Sequence, residues 1–287
     1  MGEMGINMIM TKEPLSDEFQ TKLDRLETII RELGSLAVGF SGGVDSSFLL
    51  AVAHAVLGDR VIAVTGADAS VPERELKEAA EFCAMRDIRH IICPVDPLKE
   101  EGYRHNSPDR CYFCKHGIFS EVKRIAEENG IAYAAEGSNT DDLGDYRPGL
   151  RAVEELSVKS PLREAGLSKA DIRLISKAMG LPTWSKPAYA CLASRFVYGE
   201  EITEEKLRRI DRAEQYLIEH GFLEERVRLH GSLARIEVPP RDIARIASEE
   251  VRAPLVRAFR DMGFLFVTLD LTGYRTGSMN ATLREEP

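Results

Sequence analysis

Apolar residues recur along the chain in two alternating rhythms. Phe19, Leu23, Leu26, Ile29, Ile30 and Leu33 fall at helical spacing and predict a helix over 17–33, ended by Gly34. The short apolar run 35–40 predicts a buried strand, and Ser41 to Asp45, with two glycines, separates it from a helix over 46–57 closed by Gly58. The rhythm repeats with a strand over 60–65 and a helix over 73–85 behind Pro72, where a first turn tolerates proline. A strand over 88–93, a helix over 110–129 closed by Gly130, and a strand over 131–135 follow. Short buried strands alternating with helices predict an α/β fold, a parallel sheet with helices on both faces.

Beyond Glu136 the rhythm loosens. Residues 137–148 and 157–167 are polar or marked by proline and glycine, and 181–194 carries Pro182 and Pro187. Long loops inside a compact domain tend to carry function. From Thr203 a different pattern begins: a helix over 204–220 with a threonine cap and Gly221 behind it, and a hairpin of 226–229 and 234–238 around Gly231-Ser232. A helix over 241–262 and a strand over 264–269 complete it. The chain is therefore expected to divide into an α/β domain, 1–201, and a smaller C-terminal α+β domain, 202–287.

Composition narrows the classes. The chain has 287 residues, 44% apolar, with a net charge of −9. That is ample for a core, and the acidic balance argues against a broad nucleic-acid surface. No apolar run approaches the roughly 18 residues that span a bilayer, and Met1 to Thr11 lack the pattern of a signal peptide. A cytoplasmic protein with neither membrane nor nucleic acid as partner is expected. Cys83, Cys93, Cys111, Cys114 and Cys191 are then expected reduced, metal-bound or catalytic rather than disulfide-paired.

The chemistry concentrates in Ser41-Gly42-Gly43-Val44-Asp45-Ser46-Ser47, between a strand and a helix. Its glycines let backbone N–H groups turn toward an anion, and Ser46 and Ser47 open a helix whose free N–H groups favour phosphate. Asp45 is negative, so a divalent cation must bridge it to the phosphates. No Gly-Lys-Ser/Thr follows, which excludes a Walker loop. Thr65 and Gly66, and Glu136 and Gly137, end strands of the same sheet and are candidates for the adenosine site. Asp141 and Asp142 either help Asp45 hold Mg²⁺ or cap the next helix. Cys111 and Cys114 open a helix between Arg110 and Lys115, where positive charge favours thiolate; such a pair reads as redox, metal-binding or fortuitous. Cys191 lies in a proline-marked loop flanked by Lys186 and Arg195, which either attract anions and activate the thiol or are merely solvated. Cys83 and Cys93 fit the apolar core. Arg226, Arg228 and His230 share one face of the hairpin, with Arg235 and Glu237 on the returning strand, forming either a phosphate-binding face or a solvated one.

The glycine loop resembles the PP-loop of the N-type ATP pyrophosphatases. Together with Glu136-Gly137-Ser138-Asn139-Thr140-Asp141-Asp142, Arg147-Pro148-Gly149, Ser160-Pro161-Leu162, the stretch Lys186-Pro187 to Arg195, and Gly273-Tyr274-Arg275-Thr276-Gly277-Ser278-Met279-Asn280, it resembles the LarE family from Phe19 to Asn280. The resemblance implies that ATP and Mg²⁺ activate a carboxylate of pyridinium-3,5-biscarboxylic acid mononucleotide as an acyl-adenylate. Sulfur then replaces AMP, in the biosynthesis of the nickel-pincer nucleotide cofactor. The loop residues Ser41, Gly42, Gly43, Asp45, Ser46 and Ser47, with Thr65 and Gly137, would bind ATP; Asp45 and Asp142 would hold Mg²⁺; Arg195, Arg226 and Arg228 would bind the substrate, the last two at its phosphate. One type in the family gives up the sulfur of a cysteine at the position of Cys191. Another adds a Cys-x-x-Cys, and the three thiolates hold a [4Fe-4S] cluster that carries sulfide from a donor. This chain has all three cysteines, and the resemblance also implies a homo-oligomer, a hexamer in many members. Rival readings are a PP-loop amidating or NAD-synthesising enzyme, a tRNA-thiolating enzyme, and a nucleotide-sensing protein without catalysis.

Overall fold

The computed structural model describes residue 11 and residues 14–144, 148–187 and 190–275. Arg147 and the segment Thr276 to Asn280 of the motifs above lie outside the described residues. In chain order the elements are α1 (Asp17–Leu33), β1 (Leu36–Gly39), α2 (Val44–Leu57), β2 (Val61–Ala67), α3 (Glu73–Ala84), β3 (Arg89–Pro94), α4 (Glu101–Arg104), α5 (Arg110–Glu128) and β4 (Tyr133–Ala135). There follow α6 (Gly149–Glu155), α7 (Pro161–Glu164), α8 (Lys169–Ala178), α9 (Glu204–Glu219), β5 (Arg226–His230), β6 (Leu233–Glu237), α10 (Ile243–Ala247), α11 (Glu249–Asp261) and β7 (Phe266–Leu269). They form two compact units. Within the described residues one comprises the chain to residue 68, 73–97 and 111–187; the other comprises 69–72, 98–110 and 190–275.

The first unit is built on a four-stranded sheet of order β3-β2-β1-β4 with every pairing parallel. Alternate residues of a strand face opposite ways, and here both faces are apolar. Leu36, Val38, Val61 and Ala63 pack with Leu26 and Ile30 of α1, Phe48 and Leu49 of α2, and Ile172 and Ile175 of α8. Ala37, Ile62, Val64 and Ala134 pack on the opposite side with Phe119, Val122, Ile125 and Ala126 of α5. Burying each large side chain in these layers stabilises the fold by about 1.5–3 kcal/mol. The doubly covered parallel sheet read from the sequence is thus the observed fold. A Cβ on Gly39 would stand 2.6 Å from Phe119 Cε1, so α5 lies directly against the last residue of β1. Because α5 joins two parallel strands, its first turn opens at the carboxyl edge of the sheet, the edge where β1 gives way to the glycine loop.

In the second unit β5 and β6 are antiparallel around Gly231, and β7 adds parallel to β6. Val227, Leu229, Ala234 and Ile236 are buried, as is the stripe Leu207, Ile210, Ala213 and Leu217 of α9. Thr203 caps α9 by accepting a hydrogen bond from Lys206 N at 3.3 Å. Phe264 precedes β7 and packs against Phe259 of α11, ring centroids 5.6 Å apart.

Several elements depart from the sequence reading, among them the short helices α4 and α7, for which no element was expected. The helix expected over 241–262 is two helices, because Ser248 is extended (ψ 150°) and starts α11 afresh. The expected strand from Phe264 begins only at Phe266. Helices α6 and α8 occupy stretches left without an element. The start of α8 is a capping box, with the Ser168 side chain accepting from Asp171 N and the Asp171 side chain accepting from Ser168 N.

Gly39→Ala should cost about 1–3 kcal/mol by overpacking against Phe119, read as a lower urea midpoint at unchanged m-value. Combining it with Phe119→Leu should recover part of that loss.

Candidate active site

The glycine loop is held by its own serines. Ser41 Oγ lies 3.1 Å from Ser46 Oγ, Ser46 Oγ donates to Gly43 O at 3.3 Å, and Gly43 N donates to Ser41 Oγ at 3.4 Å. Gly42 turns the chain at φ +67°, a conformation that glycine adopts at no steric cost. Helix α2 begins at Val44, two residues earlier than the sequence suggested, and no side chain caps it. Its first N–H groups and its positive dipole end therefore face an incoming anion. Gly137, just past β4, closes the floor of the loop: a Cβ there would stand 3.0 Å from Ser46 N.

Asp45 sits in that first turn. Its Oδ2 accepts a hydrogen bond from Lys169 Nζ at 2.5 Å, while Oδ1 is buried with no hydrogen-bond partner among the described residues. An orphaned buried carboxylate oxygen beside open helix N–H groups has the chemistry to take a divalent cation. Asp141 Oδ2 accepts from Lys169 N at 3.0 Å and so caps α8, and Asp142 Oδ2 accepts from Asn139 N at 2.9 Å. Lys186 Nζ donates to Gly42 O at 3.1 Å and pairs with Glu78, so it belongs to the loop's surroundings and is not merely solvated. Thr65 is buried beneath the loop. Its hydroxyl donates to Phe40 O at 2.7 Å and, having one proton, accepts from His90 Nε2, also at 2.7 Å. Burial holds the His90 pKa down, in keeping with a neutral ring carrying its proton on Nε2.

Glu136 directly follows β4, and its carboxylate is buried. It accepts from Ser138 N, Ser138 Oγ, Ser160 Oγ and Lys115 Nζ. Burial alone would raise its pKa, but Lys115 and the serine donors outweigh burial and hold it below the ordinary carboxylate value.

The cysteines separate by exposure. Cys83 and Cys93 are buried; desolvation pushes Cys83 up to about 12 and raises Cys93, which makes both poor nucleophiles. Cys111 is exposed and Cys114 half-buried in the first turn of α5, in the first unit; Cys191 is exposed in the second. Among the described residues no three His, Cys, Asp or Glu side chains converge on a metal site.

Within the second unit the segment carrying Cys191 is held by buried guanidinium groups. Arg195, 2% exposed, binds Glu214 through two hydrogen bonds of 2.8 and 2.9 Å. Its Nη1 donates to Ala190 O at 2.6 Å and to Cys191 O at 3.2 Å. Arg110 Nη1 donates to Ala193 O and Arg228 Nη1 to Ser194 O, each at 2.9 Å. Leu192 N donates to Ser70 O at 3.0 Å. The arginine face of the hairpin is correspondingly interior: Arg226 and Arg228 are each 4% exposed, which removes the solvated-face reading. Arg228 pairs with Glu237 at 2.9 Å, and Arg226 lies 4.9 Å from the Tyr274 ring centroid.

Lys169 and Glu214 were not foreseen from the sequence, and Arg110 was read only as a charge beside Cys111. A signal existed only for Lys169, in the capping box that marks the start of α8; the other two depend on tertiary contacts.

A glycine loop that joins the carboxyl end of a parallel strand to an uncapped helix, with an aspartate in its first turn, is the arrangement of the PP-loop ATP pyrophosphatases, and that is the class the fold defines. No protein-family model matches the chain. It is 42% identical over 264 residues to an uncharacterized protein of Synechocystis, covering 92% of this chain and 98% of that one. It is 37% identical over 265 residues to the pyridinium-3,5-bisthiocarboxylic acid mononucleotide synthase of Lactiplantibacillus plantarum, covering 92% and 95%. It is also 29% identical over 187 residues to the argininosuccinate synthase of Natronomonas pharaonis, covering 59% and 46%. The chain belongs to the LarE family. Among the described residues no helix is long and apolar enough to cross a membrane.

Glu214 is buried; burial would raise its pKa, but Arg195 first, then the Val227 N–H, hold it below its ordinary value. The stabilisation this represents is present at neutral pH and is lost as pH falls through the depressed value. Glu214→Gln should therefore destabilise the protein by about 3–5 kcal/mol at neutral pH. The deficit relative to the parent should shrink in denaturant titrations carried below the ordinary carboxylate value of about 4.3.

Proposed function

We propose that this enzyme adenylylates the carboxylates of pyridinium-3,5-biscarboxylic acid mononucleotide and replaces AMP with sulfur, giving thiocarboxylates for nickel-pincer nucleotide biosynthesis. The observation that carries the first half is the uncapped helix start beside the unpartnered Asp45 Oδ1. A substrate carboxylate oxygen attacks the α-phosphorus of ATP; the new O–P bond forms as the bond to pyrophosphate breaks. The loop N–H groups face the departing pyrophosphate, and Asp45 with Asp142 would hold a Mg²⁺ ion that would offset its charge. Ser41, Gly42, Gly43, Ser46 and Ser47 cradle the phosphates, and Thr65 and Gly137 border the adenosine.

In the second half a sulfur nucleophile attacks the acyl carbon, a C–S bond forms, and AMP leaves with the electrons of the C–O bond. Exposure of Cys191 and Cys111 and partial exposure of Cys114, against burial of the other two cysteines, supports thiol chemistry at these positions. We assign the three to a [4Fe-4S] cluster, which when bound would offer an iron without a protein ligand for sulfide from a donor. Arg195 holds the backbone of Cys191, and we assign Arg226 and Arg228 to the substrate phosphate, which would have to draw the Arg228 fork from Glu237. Free thiols and iron-sulfur chemistry suit a reducing compartment, the cytoplasm. Exposed Leu265, Phe266 and Leu271 supply apolar surface for a homo-oligomer. Exposure of Cys191 also favours a second reading, in which its own sulfur is given up and dehydroalanine remains.

Anaerobically reconstituted protein should bind roughly four irons per chain and turn over repeatedly with sulfide, leaving the mass of Cys191 unchanged. Absence of iron together with loss of one sulfur from Cys191 would establish the sacrificial route instead. Arg226→Gln and Arg228→Gln should each weaken binding of the mononucleotide by about tenfold or more while ATP affinity holds. Equal affinity for the mononucleotide in calorimetric titrations would remove the phosphate role.

A further inference from the structure

The first turn of α5 brings a cation to the nucleotide end of the sheet. Lys115 stands one residue after Cys114, and its Nζ lies 3.3 Å from Glu136 Oε2. Glu136 is fixed by the Ser138 and Ser160 donors, so the ammonium is tethered to a carboxylate that cannot swing away. The next residue, Gly137, touches the backbone of Asp45 and Ser46 at the start of α2. The ammonium is therefore anchored one residue from the contact between β4 and the phosphate-binding turn. Its aliphatic stem runs over Gly149, where a Cβ would stand 2.8 Å from Lys115 Cδ and 3.3 Å from Cys111 O. Gly149 thus leaves the groove along which the side chain reaches the sheet edge. Lys115 is 36% exposed while Glu136 is 5% exposed, so the ammonium keeps an open side toward solvent as its other side is held.

The strand order adds direction. Glu136 directly follows β4, which pairs with β1, and β1 runs into the glycine loop. Phosphates seated on the first turn of α2 have the loop on one flank and the β4 end on the other. A tethered cation at the β4 end is suited to the phosphate nearest the nucleoside, whereas Lys169 meets Asp45 directly.

We propose that Lys115 is the cation that contacts the α-phosphate of the bound nucleotide, with Glu136 and Gly149 as the residues that position it. It neutralises charge on the phosphoryl group as the acyl-adenylate forms and on AMP as it leaves, and it undergoes no net proton transfer. This rests on the nucleotide-site reading above. It gives the helix of Cys111 and Cys114 a second task, since one element then carries both thiols and a phosphate ligand.

The test titrates AMP and adenosine separately into the full chain by calorimetry, because the two differ only in the phosphate. Lys115→Met, titrated at a temperature where it remains folded, should weaken AMP by about tenfold or more and leave adenosine within about twofold. Lys115→Arg should restore most of the AMP affinity. Gly149→Ala, which keeps the charge but displaces the stem, should show the same selective loss to a smaller degree, and it serves if Lys115→Met fails to fold. Unchanged AMP binding, or equal losses for AMP and adenosine, in whichever of Lys115→Met and Gly149→Ala folds would overturn the assignment. Parent protein that binds neither compound would overturn the nucleotide site itself.

Discussion

A carboxylate in the first turn of a helix that receives phosphates is the constraint around which this site is organised. The turn of α2 draws anions through open N–H groups, yet Asp45 stands in it. Two like charges about 4 Å apart repel by about 4 kcal/mol at an effective dielectric of 20, so positive charge has to intervene. The chain supplies part of it through Lys169, and under the proposed function the buried Asp45 Oδ1, unpartnered among the described residues, would leave the remainder to a divalent cation. The placement of α8 follows from the same need. Ile172 and Ile175 anchor it in the core, Asp141 caps its start, and Lys169 is thereby delivered to the loop.

The same physics recurs where regular structure ends in the second unit. Residues 190–194 belong to no helix or strand long enough to satisfy their own carbonyl groups, and Arg110, Arg195 and Arg228 satisfy them instead. Buried ion pairs such as that of Arg195 with Glu214 carry a desolvation cost of several kcal/mol per ion. Their contribution here is register: the carbonyl of Cys191 is held by one nitrogen of a guanidinium whose other two nitrogens are held by one carboxylate. The cysteine is exposed, yet the backbone beneath it is anchored.

Much of this was legible in the sequence. The parallel sheet followed from the alternation of apolar runs and helical stripes, and the glycine loop from its composition and place. The hairpin fell where Gly231 turns the chain at φ +60°. The rest needed three dimensions. Alternation put Arg226 and Arg228 on a polar face but could not say that the face is interior. Arg195 read as a flanking charge, because Glu214 lies nineteen positions away. The break at Ser248 was hidden by apolar residues that keep helical spacing across it, and α8 was missed although Ser168 and Asp171 mark its start. Local periodicity reports which side of an element is apolar; it does not report what covers the polar side.

The most direct measurement of the central claim is exchange of labelled pyrophosphate into ATP, with and without the pyridinium dicarboxylate mononucleotide. The account predicts exchange that depends on the mononucleotide and on Mg²⁺ and is abolished by Asp45→Asn. Formation of ADP and orthophosphate, or exchange indifferent to the mononucleotide, would contradict it.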